Sequence, residues 1–123
     1  VYTAESETID DGDPISFTNI VMESNPLTYQ LVGGDLVVND TGIFVVTWGF
    51  ESALSTFTKF QLHVNGVSSI DRTIDIIGSG SPSSFINNMT NLVTLTMPST
   101  TLSMVNDSGI TVNIRNGTQN NIT

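Results

Sequence analysis

The chain has 123 residues, a length that suits one domain with a single hydrophobic core. Its formal net charge is −9, and its three cations, Lys59, Arg72 and Arg115, are too few and too scattered to bind nucleic acid or an anionic membrane surface. It has no cysteine, which excludes disulfides, thiolate metal sites and thiol nucleophiles.

The composition favours an extracellular or surface-exposed protein. Ser, Thr and Asn account for 43 of the 123 residues, whereas charged residues are only 12 %, about half the usual share. No apolar stretch has the roughly 18 residues that a membrane-spanning helix needs. The sequence opens on Val1 without an initiator Met, so we expect a processed form or an excerpt.

The first elements in chain order are an acidic segment and a short hairpin. Residues 1–13 hold five acids and are expected to form an extended N-terminal arm, while Ile15 and Phe17 behind it read as an anchored strand. The segment Leu31–Val38 is rich in apolar residues but contains Gly33-Gly34, which predicts a bulge or a turn between two short strands.

The rest of the chain is dominated by apolar residues that alternate with polar ones. Side chains alternate between the two faces of a strand, so each such run predicts a strand with one apolar face. The predicted apolar sets are Phe44, Val46, Trp48 and Phe50; Phe60, Leu62 and Val64; Val93, Leu95 and Met97; Leu102 and Met104; and Ile110, Val112 and Ile114.

Turn signals separate these runs at intervals near ten residues. Asn65-Gly66 is the strongest, because both residue types tolerate the positive φ of a tight hairpin. No window shows helical spacing of apolar residues over three turns. Residues 1–123 are therefore predicted to form one all-β domain, an antiparallel sandwich or barrel.

The chemistry of the chain argues against an enzyme, and no catalytic residue is predicted. His63 is the only histidine, it lies on the polar side of its strand, and no Gly-x-Ser-x-Gly sequence accompanies it. Carboxylates such as Glu51, Asp71 and Asp75 show no spacing that singles out an acid and nucleophile pair. Trp48 belongs to an apolar set and is predicted to be a core residue.

Two kinds of surface site remain as weak candidates, and no cofactor is predicted. Asp10, Asp11 and Asp13 resemble part of a calcium loop, although a turn ending at Pro14 explains them as well. An Asn- and Thr-rich chain also produces glycosylation sequons by chance. They stand at Asn39, Asn88, Asn106, Asn116 and Asn121.

Four stretches carry a family resemblance: 41–48, 60–66, 92–95 and 101–108. In order and spacing they resemble the series Gly-x-aromatic-x-Val-x-aromatic, Phe-x-Leu-x-Val-Asn-Gly, and Leu-Ser-Leu-x-Asn-x-Ser. This series is typical of the C-terminal domain of BclA-type collagen-like exosporium glycoproteins, which belong to the tumour-necrosis-factor-like jelly rolls. The resemblance implies a jelly-roll sandwich that trimerises on a spore or cell surface, at the tip of a stalk or within a filament, without catalysis.

The sequence departs from that family at its end, where one more alternating strand is expected after Asn116-Gly117-Thr118. We therefore expect a sheet that lacks its final strand, either because the sequence is an excerpt or because a neighbouring subunit fills the gap. The expected donor is the segment Val1–Ile9 of another copy, with Val1, Tyr2 and Ile9 as its apolar residues.

A second reading of the same fold is a carbohydrate- or receptor-binding module. Jelly rolls bind sugars through exposed aromatic residues or calcium, and the candidate aromatic residues here are Tyr2, Tyr29 and Phe85. They do not cluster in the sequence, so the structural module is the preferred reading.

Overall fold

The computed structural model describes residues 2–3, 7–19, 28–52, 58–76, 85–114 and 120–123. Every regular element among them is a β-strand. These residues form no helix that is long and apolar enough to cross a membrane. The strands are β1 (Tyr2–Thr3), β2 (Glu7–Ile9), β3 (Tyr29–Val32), β4 (Asp35–Val38), β5 (Gly42–Ser52), β6 (Thr58–Val64), β7 (Val67–Ile76), β8 (Phe85–Leu95), β9 (Thr100–Asn106), β10 (Val112–Ile114) and β11 (Asn120–Ile122).

The first sheet is built around the long strand β5. On one side β5 pairs with β8 without a break, from Gly42 opposite Leu95 to Ser52 opposite Phe85. On its other side lie the two short strands β10 and β11, which pair in turn with β2 and β1. All of these pairings are antiparallel.

The second sheet has the order β3-β4-β9-β6-β7 and is also antiparallel. The stretch Gly12–Phe17 continues the line of β4 along the edge of β9. Its backbone donates from Gly12 N to Asn106 O at 2.8 Å and from Ile15 N to Met104 O at 2.9 Å. The side chains of Ile15 and Phe17 are both buried, as an anchored segment requires. The strand predicted for them is wrong, because this stretch pairs only through an isolated bridge of Pro14 with Val105.

Glycines make the two predicted hairpins. Gly33 and Gly34 join β3 to β4 with φ of 60° and 94°, a backbone region that glycine enters without a steric penalty. Asn65 and Gly66 join β6 to β7 with φ of 51° and 74°. Positive φ at both central residues is typical of the tight turn whose twist matches that of the flanking strands.

The two sheets share one hydrophobic core. Trp48 and Phe50 from the first sheet and Phe60, Leu62 and Met104 from the second are fully buried. The rings of Phe50 and Phe60 meet with centroids 4.4 Å apart and planes tilted by 42°, a geometry within the range that aromatic pairs favour.

Two predicted core residues lie outside the core. Met97 follows the last residue of β8 and is 59 % exposed, and Ile110 precedes β10 and is 43 % exposed. The alternating pattern ran past the ends of both strands in the sequence, but a side chain is directed inward only while the backbone stays paired in the sheet.

The expected extended arm and the expected missing strand are both corrected by the sheet pairing. β1 pairs with β11, β2 pairs with β10, and Thr3 and Ile9 are buried. The place beside β5 is occupied by β11, with Ile122 opposite Trp48. The described parts of the expected donor segment, residues 2–3 and 7–9, therefore complete the sheet of their own chain.

Candidate functional site

The outward side of the first sheet carries an unusual cluster of aliphatic side chains. On β5, Ile43 is 73 % exposed and Val45 is 66 % exposed; on β8, Leu92 lies directly opposite Val45 and is 65 % exposed. We call this the outer face and define it by Ile43, Val45, Thr47, Thr90, Leu92 and Thr94, which alternate with the buried residues of the two strands.

The outer face is uncharged in a chain whose net charge is −9. Its polar members are threonines, and the hydroxyls of Thr47 and Thr90 lie 3.0 Å apart in a hydrogen bond. An antiparallel sheet that faces water usually presents polar side chains there. The corresponding side of the second sheet is more covered: Gln61 and Thr101 are half-buried there, and Val105, opposite Gln61, is buried. Contiguous exposed apolar surface of this kind makes the outer face a candidate interaction site.

A cavity of about 330 Å³ lies on the other side of β5, between the two sheets. Its apolar lining comes from Phe44 and Val46 of the first sheet and from Leu36, Val38 and Leu102 of the second. Thr28, Tyr29, Val45 and the end of β11 complete the described wall, and none of its described side chains is charged.

Beside this cavity, the described pairing of the backbone edge of β5 is with β11. Thr47 and Thr123 exchange two hydrogen bonds, Thr47 N to Thr123 O at 2.7 Å and Thr123 N to Thr47 O at 2.6 Å. Beyond this pair, from Val46 back to Gly42, no strand of the described part of the chain pairs with this edge. The cavity therefore adjoins the end of β11, whose Ile122 and Thr123 line it.

The predicted calcium residues lie in an exposed turn at the far end of the domain. An oxygen of Asp10 accepts a hydrogen bond from the Thr111 hydroxyl at 2.9 Å, and an oxygen of Asp11 accepts one from Gly109 N at 2.7 Å. Asp13 contributes its backbone to the contact with Asn106. Within the described ranges, no group of three or more His, Cys, Asp or Glu is arranged to hold a metal ion.

The five sequons have different surroundings. Asn106 is fully buried, and its amide nitrogen donates to Ile9 O at 3.0 Å and to Ile110 O at 2.8 Å, which leaves no room for a sugar on that nitrogen. Asn39 is half-buried and lies before β5. Asn116 and the side chains of Asn88 and Asn121 lie outside the described residues.

Of the other residues singled out in the sequence, those whose side chains are described are not brought together. Tyr29 is half-buried in the wall of the cavity, whereas the side chains of Tyr2 and Phe85 are outside the described part. His63 points away from the core, as predicted, and its Nε2 is buried with no hydrogen-bond partner among the described residues. Asp71 and Asp75 belong to β7 and their side chains are not described, so no acid pair is assembled from described groups.

The outer face was missed in the sequence, although a signal for it was present. Residues 43–46 are four consecutive apolar residues, and Leu92-Val93 repeats this on the partner strand, so both faces of the β5–β8 pair are apolar. The cavity had no such signal, because its lining comes from strands far apart in the chain.

Comparison of the chain with protein-family models finds none that matches, and comparison with curated proteins likewise finds no match.

Proposed function

We propose that this chain is a non-catalytic structural module of a bacterial spore or cell surface that associates with itself as a homotrimer. The outer face is the observation that carries this proposal. Three aliphatic side chains exposed by about two thirds or more lie side by side there on a rigid pair of strands.

Charge explains why association would use this face. Copies of a chain with net charge −9 repel one another, and that repulsion is weakest where the approaching surfaces carry no charge. All six residues of the outer face are aliphatic or threonine, so they can be desolvated without leaving a buried charge. The hydrophobic gain from Ile43, Val45 and Leu92 then favours the contact.

We infer that the fold is a jelly roll of the tumour-necrosis-factor-like type. The strand order supports this inference: β9, a late strand, lies between β4 and β6, and β10 and β11, the last strands, lie between the first strands and β5. The resemblance of residues 41–48, 60–66, 92–95 and 101–108 to the exosporium glycoproteins leads to the same fold and to a place at a stalk tip or in a filament.

Light scattering coupled to gel filtration tests the association. We expect a mass about three times the 13.2 kDa of one chain. The variant Leu92→Glu, which puts a carboxylate at the centre of the outer face, is expected to be monomeric. The control Gln30→Glu adds the same charge at an exposed position of β3 in the other sheet and is expected to remain trimeric.

A monomeric mass for the unmodified chain at micromolar concentration would overturn the proposed trimer. Equal behaviour of Leu92→Glu and Gln30→Glu, with both trimeric, would show that the interface lies elsewhere. Circular dichroism of both variants establishes that a change in mass does not come from unfolding.

A further inference from the structure

We propose that the chain cuts its own backbone between Asp13 and Pro14 in mild acid, and that strand pairing then holds the two pieces together. The reaction is a single-turnover self-cleavage that consumes only water, so it is compatible with a module that acts on no other substrate. It takes place in an exposed turn that contributes no residue to the outer face, and it does not rest on the proposed trimer.

The bond between Asp13 and Pro14 joins two residue types whose chemistry favours cleavage. The proline nitrogen lies in a ring and carries no hydrogen in the peptide bond. Once it gains a proton from acid, it is a good leaving group. The carboxylate of Asp13 is tethered so that attack on its own backbone carbonyl carbon closes a five-membered ring. Carboxylates serve as nucleophiles in proteins, and a nucleophile held this close to its target reacts far faster than one in solution.

The first structural argument is a hydrogen-bond donor on the carbonyl of the bond that would be cut. The backbone oxygen of Asp13 accepts a hydrogen bond from Asn106 N at 3.0 Å. Negative charge develops on this oxygen as the ring closes, and a donor that is already in place stabilises it. The donor is fixed in position, because Asn106 is fully buried and its side chain is hydrogen-bonded to β2 and to the turn before β10.

The second structural argument is the state of the carboxylates around this turn. The neighbouring carboxylates are engaged by partners within the described part of the chain. These pairs are Glu7 with Ser16 N, Asp10 with the Thr111 hydroxyl, Asp11 with Gly109 N, and Asp107 with Lys59 Nζ. The carboxylate of Asp13, which is exposed, accepts no hydrogen bond from a described group. It can therefore turn onto its own backbone carbonyl without giving up a described contact.

The two chemical steps balance with water as the co-reactant. A carboxylate oxygen of Asp13 bonds to the backbone carbonyl carbon, the bond from that carbon to the nitrogen of Pro14 breaks, and the nitrogen takes a proton from the acidic solvent. The products are a cyclic anhydride at Asp13 and a free amine at Pro14. Water then opens the anhydride, which leaves Asp13 with a side-chain carboxyl group and a terminal one.

The two pieces are expected to stay together after the cut. β1 and β2 belong to the first piece, residues 1–13, and they pair with β11 and β10 of the second. Thr3 and Ile9 of the first piece are buried. On the other side of the cut, Ile15 N donates to Met104 O at 2.9 Å and holds the new end in place. Cleavage thus changes a covalent connection into one made by strand pairing.

Incubation of the 123-residue chain at about pH 5, a mildly acidic value, tests the reaction. Mass spectrometry after denaturation is expected to show residues 1–13 and 14–123, whose masses add up to that of the chain plus one water. The folded chain is expected to be cut about tenfold faster or more than the chain in urea, because only the fold places the Asn106 N–H on the carbonyl. Since the reaction is intramolecular, its rate is expected not to depend on protein concentration.

Two protein variants test the nucleophile. Asp13→Asn removes the carboxylate, keeps the backbone hydrogen bonds and is expected to remain uncut. Asp10→Asn is the matched control, because it removes the same charge from an exposed position of the same turn. It is expected to be cut at the rate of the unmodified chain. Thermal melting confirms that both variants are folded, and if Asp13→Asn does not fold, the comparison of the folded chain with the chain in urea decides the question.

A folded chain that is cut no faster than the chain in urea would overturn the self-cleavage, and so would equal cutting of the two variants. A rate that rises with protein concentration would also overturn it, because it indicates a contaminating protease or a reaction between copies. Native gel filtration tests the fate of the pieces, which are expected to elute together. Loss of residues 1–13 from the larger piece would overturn the proposed pairing. The trimer is tested separately, by the mass of the uncut chain.

Discussion

The side chain of Asn106 donates a hydrogen bond to the backbone carbonyl of Ile9, 97 residues away in the chain, at 3.0 Å. The same amide donates to Ile110 O at 2.8 Å and accepts from Ser108 N at 3.0 Å. Asn106 ends β9, and its three bonds tie that end to β2 and to the turn before β10. A buried polar side chain thus joins the two sheets at one end of the core.

Replacement of Asn106 by alanine is expected to lower the free energy of unfolding by about 3 kcal/mol, because the buried carbonyl of Ile9 and the partly buried carbonyl of Ile110 lose their donor. Urea denaturation measures the change. Asn113→Ala is the control, since Asn113 is exposed and accepts one side-chain hydrogen bond, from Thr8. A cost for Asn106→Ala as small as that for Asn113→Ala would mean that water satisfies the freed groups.

The aromatic contact between the sheets yields a second prediction. Phe60→Ala removes a fully buried ring 4.4 Å from Phe50 and is expected to destabilise the fold by about 4 kcal/mol. Phe44→Ala removes a half-buried ring that borders the cavity and is expected to cost about 2 kcal/mol. Chemical denaturation measures the loss of unfolding free energy for both variants. Equal losses would contradict the difference in packing between the two rings.

In the hairpin between β6 and β7, the cost of backbone strain can be measured without a contribution from side-chain contacts. Nothing lies within 4 Å of the place where a side chain on Gly66 would begin, yet its φ is +74°. Gly66→Ala is therefore expected to cost about 1 kcal/mol from the left-handed backbone alone. Gly66→Asn is expected to cost less, because asparagine tolerates this region. The order of the two melting temperatures checks the prediction, and the reverse order would contradict it.

Lys59 contacts the turn after β9 through a hydroxyl and through an ion pair, so two variants can compare how much each contact stabilises the fold. The Ser108 hydroxyl accepts from Lys59 N at 2.7 Å and donates to Lys59 O at 3.1 Å, so Ser108→Ala is expected to cost about 1–2 kcal/mol. The Lys59–Asp107 pair is 2.9 Å long but partly exposed, and Asp107→Asn is expected to cost less than about 1 kcal/mol. Denaturation in low and high salt separates the two, since only the ion pair is screened.

Much of the fold could be predicted from the sequence, because strand alternation and turn residues are local patterns. Alternation placed Val46, Trp48 and Phe50 on one buried face, and Asn65-Gly66 marked its hairpin. The same rule failed at Met97 and Ile110, where the alternation continued past the paired backbone. The resemblance to a family with one more strand led us to expect a missing final strand, yet residues 120–122 form β11, which pairs with β5 opposite Trp48.

The candidate site was predictable only in part. Four apolar residues in a row at 43–46 show that both faces of β5 are apolar, although they do not say which face meets the core. The cavity has no counterpart in the sequence, because Leu36, Phe44 and Leu102 become neighbours only when the sheets are assembled. Likewise, Asn106 reads as a sequon in the sequence, whereas the structure uses its amide to connect strands.

The sequence by itself determined the strand class, the inward residues of the long strands and the main hairpins, because backbone geometry and turn chemistry act over a few neighbouring residues. Only the tertiary structure decided that β1 and β2 complete the first sheet, that β11 pairs with β5 opposite Trp48, and that an uncharged face stays exposed. These features come from hydrogen bonds and packing between residues far apart in the chain, and no local pattern specifies which distant partners meet.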